Sequence, residues 1–237
     1  VQGHIMNIRE KPILSAEVSA YPSALGSDPS DATGYYSLFF DGADTYDIKV
    51  ERDRYGELPE RKDLAVLGLV TGADFYLPPL DDLVDNGGYE KASWGDWQRG
   101  GSTLPAISSS THTGDGAALL DPAGGESRLS QSLRLPAGLH EPAVSLMVRL
   151  ADKADVASTL TVTIVGATTS THELAVTSEE WAHAWYDVSA FAGETVTIEL
   201  AVSGDPALIV DEVSLGSAMP GVSLSYLPLV GHKSGAW

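Results

Sequence analysis

The sequence of 237 residues predicts an all-β protein with two tandem β-sandwich domains. First, apolar and polar residues alternate with the two-residue period of a half-buried strand, as in 159–165 and 195–200. Second, turn clusters such as 27–31 and 41–44 recur about every 8 to 15 residues. Third, no segment keeps a 3.6-residue apolar stripe beyond about one turn. Short strands at this spacing are typical of sandwiches and jelly rolls.

The first domain, residues 1–78, is predicted to contain six strands. Each is a short run of apolar, aromatic or β-branched residues between turn residues. In chain order the expected strands are 4–7, 17–21, 35–39, 46–50, 64–67 and 73–77.

A double proline followed by two acids marks the domain boundary, in Pro78-Pro79-Leu80-Asp81-Asp82-Leu83. Proline-rich segments are stiff spacers, so residues 79–83 are predicted to be a linker. The second domain is predicted at 84–217 and a C-terminal tail at 218–237, strand-like over 222–230. The expected strands of the second domain are 117–120, 128–133, 143–149, 159–165, 171–176, 184–188, 195–202 and 209–215.

Composition excludes several classes of function. The chain carries 33 acidic and 14 basic residues, a net charge of −19. This argues against nucleic acid and anionic membranes as partners, because both need Lys and Arg to neutralise phosphate. Cysteine is absent, which excludes disulfides, thiolate metal sites and cysteine nucleophiles. No apolar run approaches the roughly 20 residues of a membrane-spanning helix.

The start of the chain indicates processing, and its scarce residue types fit a protein selected for heat or for long life outside the cell. Val1-Gln2-Gly3-His4 has no Met and no signal-like region, which indicates a processed or excised piece. Asn, Gln, Met and Cys are scarce, as in proteins selected for heat or for long life outside the cell. Codon usage in a GC-rich genome is an alternative explanation for the same composition.

Three stretches of domain one have recognisable residue patterns. They are Lys11-Pro12-Ile13-Leu14-Ser15-Ala16-Glu17-Val18, Asp31-Ala32-Thr33-Gly34-Tyr35-Tyr36-Ser37-Leu38 and Asp44-Thr45-Tyr46-Asp47-Ile48-Lys49-Val50. On these stretches, residues 3–77 resemble the carboxypeptidase-regulatory, transthyretin-like β-sandwich. The resemblance implies a prealbumin-like sandwich that serves as a non-catalytic spacer in extracellular proteins. Gly34 suits a turn position with positive φ at the entry to a strand.

Domain two contains five motifs in a recognisable order. They are Asn86-Gly87-Gly88-Tyr89-Glu90, Thr111-His112-Thr113-Gly114, Ser130-Gln131-Ser132-Leu133, the stretch 181–193 that begins at Trp181, and Val210-Asp211-Glu212-Val213-Ser214-Leu215-Gly216. On these motifs, domain two resembles the galactose-binding-like jelly rolls of the carbohydrate-binding-module type. This second resemblance implies a jelly-roll fold and an extracellular, non-catalytic role in binding polysaccharides or in adhesion.

The second resemblance also implies one structural calcium ion. Carried over residue by residue, its ligands are the Gly88 carbonyl, the Glu90 carboxylate, a carbonyl near Asp115, and Asp211. Oxygen ligands from distant segments suit a hard cation, and the ion would tie together the two ends of the sandwich. His112 stands where some relatives have an acidic ligand. The alternative is that Glu90 and Asp211 are turn acids without a metal.

Sugar binding requires exposed flat aromatic faces with polar groups beside them. Trp97 and Trp181 are the predicted platforms, and Arg99, Asp96 and Gln98 could hydrogen-bond to hydroxyls. The alternative is that the aromatic residues are core or strand-anchoring residues, as expected above all for Trp94 and Trp185. The full set of aromatic candidates is Tyr89, Trp94, Trp97, Trp181, Trp185 and Trp237.

No catalytic motif is present, so an enzyme is not predicted. The sequence has no G-x-S-x-G, H-E-x-x-H, phosphate loop or G-x-G-x-x-G, and its six His are scattered. The Ser- and Thr-rich stretch 101–113 could carry O-glycans.

The tail motif Tyr226-Leu227-Pro228-Leu229-Val230 raises a second hypothesis for function. It resembles a C-terminal signature of secreted proteins of filamentous green bacteria (Chloroflexota). An apolar strand at 222–230 could also be donated to another copy of the chain. The alternative to a carbohydrate-binding or adhesion module is therefore a structural subunit of a surface filament or sheath.

Overall fold

The computed structural model describes residues 1–218 except positions 23, 92, 155 and 205. Its regular elements are β-strands and one 3₁₀ turn at Ser189–Phe191, which confirms the predicted all-β class. The strands are β1 (Gln2–Asn7), β2 (Glu17–Tyr21), β3 (Gly26–Asp28), β4 (Tyr35–Phe39), β5 (Asp44–Glu51), β6 (Arg61–Val66), β7 (Phe75–Leu77), β8 (Gln98–Gly101), β9 (Ala106–Ser108), β10 (Ala117–Leu120), β11 (Glu126–Arg134), β12 (Pro142–Leu150), β13 (Ser158–Val165), β14 (Thr169–Val176), β15 (Ala182–Asp187), β16 (Thr195–Ser203) and β17 (Leu208–Ser217).

Two predictions concern residues beyond this part of the chain. The expected tail strand at 222–230 and the aromatic candidate Trp237 lie outside the described residues. Within the described residues, no helix has the length and apolarity that crossing a membrane requires.

Domain one is a sandwich of two sheets, with strand orders β3-β4-β1-β7 and β2-β5-β6. The alternation along each strand places Tyr36 and Leu38 of β4 in one core with Ile48 of β5. A Cβ atom at Gly3 would lie 2.2 Å from the carbonyl oxygen of Ala73. Only glycine therefore lets β1 approach the segment that leads into β7.

Domain two is a sandwich of two five-stranded sheets in the jelly-roll style. Their strand orders are β15-β12-β17-β10-β9 and β14-β13-β16-β11-β8. Leu146 and Val148 of the first sheet meet Ile198 and Leu200 of the second in a common core. We call the first the covered sheet, because domain one packs on its outer face, and the second the open sheet.

The segment between the domains is hydrogen-bonded on both sides. The Asp81 carboxylate accepts the backbone N–H of Ser217 at 2.9 Å and its hydroxyl at 2.7 Å. On the other side, an isolated antiparallel β-bridge joins Pro79 to Tyr55, and the Gly56 N–H donates to the carbonyl of the preceding Pro78 at 2.9 Å. The predicted linker is therefore attached to the last strand of domain two and to the loop that follows β5.

Three short strands were not predicted from the sequence: β3, β8 and β9. Each lies at the edge of its sheet. Their sequences, Gly-Ser-Asp, Gln-Arg-Gly-Gly and Ala-Ile-Ser, have no apolar alternation. An edge strand of this kind is held by backbone hydrogen bonds to one neighbour, so its side chains leave no periodic signal.

Candidate functional site

Domain one covers the outer face of the covered sheet. Ala143 and Met147 of β12 point away from the jelly-roll core, yet they are 0% and 3% exposed. Ala143 forms a small apolar cluster with Ile8 of domain one and Ala218, and Trp185 packs against it. Residues that a strand pattern would assign to a solvated face are therefore buried between the domains.

Polar contacts around this cluster join the same two surfaces. The Asn7 side chain donates to the carbonyl of Ala218 at 2.6 Å. The Arg9 guanidinium lies 3.1 Å from Asp187 and 4.6 Å above the ring centroid of Trp185. Trp185 therefore packs against residues of domain one, a contact between the sandwiches that the sequence did not predict.

His183 is buried at the centre of the interface. Its ring stacks on Tyr76 of domain one, with centroids 3.7 Å apart and planes at 4°. Its Nδ1 lies 3.2 Å from the Glu10 carboxylate, whereas its Nε2 is buried without a hydrogen-bond partner among the described residues. Burial lowers the pKa of His183, although the Glu10 carboxylate works in the opposite direction.

Next to His183 lies a polar cavity of about 90 Å³, which we call the interdomain pocket. Trp181 is half-buried at this pocket, and the Arg149 guanidinium lies 5.2 Å from its ring centroid. Residues of both domains form the walls, among them Arg61, Asp74 and Tyr76 of domain one and His112, Trp181 and His183 of domain two.

Of the predicted sugar-binding residues, only Trp181 lies in this pocket. The prediction of an exposed Trp97 is wrong, because Trp97 is 4% exposed and belongs to the core. Its indole N–H donates to the Asn86 carbonyl at 3.2 Å. The Arg99 guanidinium lies 5.2 Å from the Trp94 centroid, and Asp96 is exposed nearby in the chain. The pattern Trp-x-x-Trp therefore marks core packing at the edge of the sandwich.

Sequence reasoning missed the contribution of domain one to the pocket. Arg61, Asp74 and Tyr76 belong to a different sandwich and have no motif of their own. His183 lies two residues after Trp181 in the same motif, but its role depends on Tyr76, which is over one hundred positions away. No local sequence signal connects these residues.

The proposed calcium ligands come together at the start of domain two. The Glu90 carboxylate accepts the N–H groups of Asp115 at 2.8 Å and Gly116 at 3.2 Å. A Cβ atom at Gly88 would lie 3.8 Å from Glu90 Oε1 and 4.0 Å from Asp211 Oδ1. Two carboxylates from the ends of the domain therefore face the same glycine.

The carboxylate of Asp211 is fully buried. It accepts the N–H groups of His112 and Glu212, both at 2.8 Å. Burial, with a smaller contribution from the negative charge of Glu212, raises the pKa of Asp211 well above its ordinary value. A nearby cation would stabilise the ionised form.

Glu90 and Asp211 fit a hard cation, because each offers a carboxylate as a ligand. In the described part of the chain, neither Glu90 nor Asp211 forms an ion pair within 4.0 Å. The Asp115 carboxylate pairs with Lys62 of domain one at 2.7 Å, so Asp115 could offer only its carbonyl. The described residues contain no group of three or more acids and histidines placed around a metal. An ion here would therefore take its other ligands from backbone carbonyls and water.

The outer face of the open sheet has a different chemistry. Its five strands contain no Phe, Trp or Tyr. Thr163 faces Thr171 on one side and Glu199 on the other, and the hydroxyls of Ser132 and Thr197 are 2.7 Å apart. This face is a solvated array of short hydroxyl side chains, including Thr159, Thr161, Thr163, Thr169, Thr171, Thr195 and Thr197.

A larger cavity, of about 710 Å³, lies in domain one. The loop after β5 forms its wall, with Arg52, Arg54 and the half-buried Tyr55. Lys49 and Glu51 form an ion pair at its base at 2.7 Å. Apart from Tyr55 it has no aromatic lining residue.

The sequence matches no protein-family model and no curated protein. Among solved structures, it is similar to TmCBM61 in complex with β-1,4-galactotriose, with 19% identity, a TM-score of 0.47, and coverage of 56% of this chain and 97% of that one. It is also similar to the CBM22-1 xylan-binding domain of Paenibacillus barcinonensis Xyn10C, with 16% identity, a TM-score of 0.41, and coverage of 55% and 90%. A third is the family 11 carbohydrate-binding module of Clostridium thermocellum with a β-1,3-1,4-mixed-linked tetrasaccharide, with 11% identity, a TM-score of 0.40, and coverage of 58% and 96%.

Proposed function

We propose that this protein is a non-catalytic, extracellular carbohydrate-binding module whose glycan site is the interdomain pocket. The observation that carries the proposal is the position of Trp181, a half-buried indole at a polar cavity between the domains. Sugars present apolar ring faces and a rim of hydroxyls. An aromatic side chain beside charged and hydrogen-bonding groups matches both parts.

The neighbours of Trp181 supply this combination. The Arg149 guanidinium lies 5.2 Å from the centroid of the Trp181 ring, and the His112 ring meets this ring edge-on with centroids 5.7 Å apart. Arg61 can donate hydrogen bonds to hydroxyls and Asp74 can accept them. The strands of the open sheet contain no Phe, Trp or Tyr, and their outer face offers mainly hydroxyls and a few charges.

Binding can be measured by affinity electrophoresis and titration calorimetry against a panel of polysaccharides. The panel includes β-1,4-galactan, xylan and mixed-linkage β-glucan, which correspond to the glycans named for the similar structures. We expect the protein to bind at least one of them and Trp181→Ala to weaken that binding at least tenfold, since a stacked aromatic is a main source of affinity.

Two matched controls test other surfaces. Thr161→Ala removes a hydroxyl from the open sheet, and Tyr55→Ala removes the aromatic side chain of the domain-one cavity. Both should bind like the wild type. A loss of binding in either control, with Trp181→Ala unaffected, would move the glycan site to that surface.

We also propose a structural calcium ion held by Glu90, Asp211 and the Gly88 carbonyl. Its support is the pair of carboxylates that face Gly88 without a basic partner. An ion that binds only the folded state stabilises it by mass action, by about 2.7 kcal/mol at a concentration of 100 times Kd. Chelation should therefore lower the Tm of the wild type.

The variant Glu90→Gln should lose this sensitivity to chelator. Glu173→Gln, which changes an exposed glutamate on the open sheet, is the matched control and should keep it. A wild-type Tm that is the same with EDTA and with calcium would leave Glu90 and Asp211 as turn acids without a metal.

A further inference from the structure

We infer that the interdomain pocket recognises the end of an uncharged glycan chain, and that domain one supplies part of this site. The inference rests on the proposed function and adds which part of the glycan is bound. It follows from the volume of the pocket, from its unsatisfied polar atom, and from the residues that domain one contributes.

The volume restricts what can enter. At about 90 Å³ the pocket holds roughly three water molecules, whereas pockets that enclose drug-sized ligands have about 300–1,000 Å³. A run of consecutive sugar rings cannot be enclosed in this space. The hydroxyls of one terminal sugar can, while its ring lies against Trp181.

His183, a lining residue of the pocket, carries a buried polar atom without a partner. Its side chain is 2% exposed, and its Nε2 has no hydrogen-bond partner among the described residues. A buried nitrogen without a partner is unfavourable, so water or a ligand hydroxyl is expected to bond to it. Met147, 3% exposed, also lines the pocket.

The charges on the walls favour an uncharged sugar. The pocket is lined by charges of both signs: Arg61 and Asp74 from domain one, and Glu180 from domain two. The whole chain has a net charge of −19, which repels polyanions. Neutral hydroxyls can bond to both the guanidinium and the carboxylates.

Domain one completes the site. Arg61 and Asp74 belong to domain one, as does Tyr76, whose ring fixes the orientation of His183 by stacking on it. Without the residues of domain one, Trp181 would lie on a surface of the jelly roll rather than in a pocket. Glycan affinity should therefore depend on residues of both sandwiches.

The decisive experiment counts binding sites on a polysaccharide. β-1,4-Galactan, xylan and mixed-linkage β-glucan are each used intact and after partial acid hydrolysis, at equal mass, with chain ends counted by a reducing-sugar assay. We expect the amount of protein bound at saturation to rise in proportion to the number of chain ends. Saturation that stays constant per gram would show binding along the chain and overturn the inference.

A variant in domain one tests the shared site. Arg61→Ala should weaken binding at least tenfold, whereas Arg52→Ala, a change in the separate domain-one cavity, should leave it unchanged. If Trp181→Ala abolishes binding while Arg61→Ala does not, domain one is not part of the site and the proposed function still stands. If none of the polysaccharides binds to the wild type, the proposed function itself fails.

Discussion

The two outer faces of the jelly roll differ in their surroundings, because domain one packs on one of them and water surrounds the other. The covered sheet presents Ala143, Met147, His183 and Trp185, all in contact with or buried beneath domain one. The open sheet presents threonines, serines and a few charged residues, such as Arg128 paired with Glu199 at 3.5 Å, all accessible to water. The strands of both sheets have the same alternating pattern, in which every second residue is apolar and points into the core between the sheets.

This difference shows that a neighbouring domain, and not the strand pattern, decides where the interdomain pocket forms. The outer side chains of the open sheet are mostly short and polar. On the covered sheet, domain one packs on the outer face and leaves a cavity beside Trp181. Concave sites of this kind occur preferentially at domain interfaces.

The largest expected effect comes from an apolar truncation on the covered side. Ile8 is 1% exposed and packs with Ala143 and Ala218 between the domains. Ile8→Ala should lower the free energy of unfolding by about 3 kcal/mol, because it leaves a cavity in a buried cluster. The matched truncation on the open sheet is Val165→Ala, where Val165 is 42% exposed, and it should cost at most about 0.5 kcal/mol. Urea unfolding measures the free energy of unfolding of both variants. Equal losses in the two variants would contradict the contrast between the two faces.

An intermediate effect on the free energy of unfolding is expected from the buried polar contacts of Asn7 between the domains. Asn7 is 3% exposed, donates to the Ala218 carbonyl, and accepts the N–H groups of Arg9 at 2.9 Å and Lys11 at 3.0 Å. Asn7→Ala leaves these groups unpaired and should cost about 2 kcal/mol. Ser132→Ala breaks the exposed hydroxyl pair with Thr197 and should have almost no effect. Chemical unfolding at neutral pH compares the two, and a Ser132→Ala loss as large as that of Asn7→Ala would refute the argument.

The smallest expected effect is a pH dependence of the free energy of unfolding, which arises from His183 on the covered sheet. Because burial lowers the pKa of His183 below its ordinary value of 6.5, the unfolded chain binds this proton more readily than the folded one. The free energy of unfolding should therefore fall as pH decreases through about 6.5. His183→Phe keeps an aromatic ring against Tyr76 and removes the titration.

The readout is the difference between wild type and His183→Phe in urea unfolding from pH 8 to pH 5. The wild type should lose more stability over this range. Parallel curves would mean that His183 does not contribute to the pH dependence of the interface.

Part of the candidate site was predictable from the sequence and part was not. The motif that begins at Trp181 was recognisable, as were Glu90 and Asp211, because each lies in a local pattern of the jelly roll. Trp97 is predicted to be exposed, yet its ring belongs to the core, with its centroid 5.8 Å from that of Tyr89. Neighbours in sequence do not determine which way a large side chain turns at the edge of a sheet.

The sequence by itself determined the all-β class, the two sandwiches and most of their strands. Alternation with period two is a local property, since it depends only on which face of a strand is apolar. The tertiary structure alone decided that domain one lies on the covered sheet, that Tyr76 stacks on His183, and that Arg61 and Asp74 stand near Trp181. These contacts join residues from separate sandwiches. Which residues meet depends on the shape and packing of the two whole surfaces, and the periodicity within one segment carries no information about that.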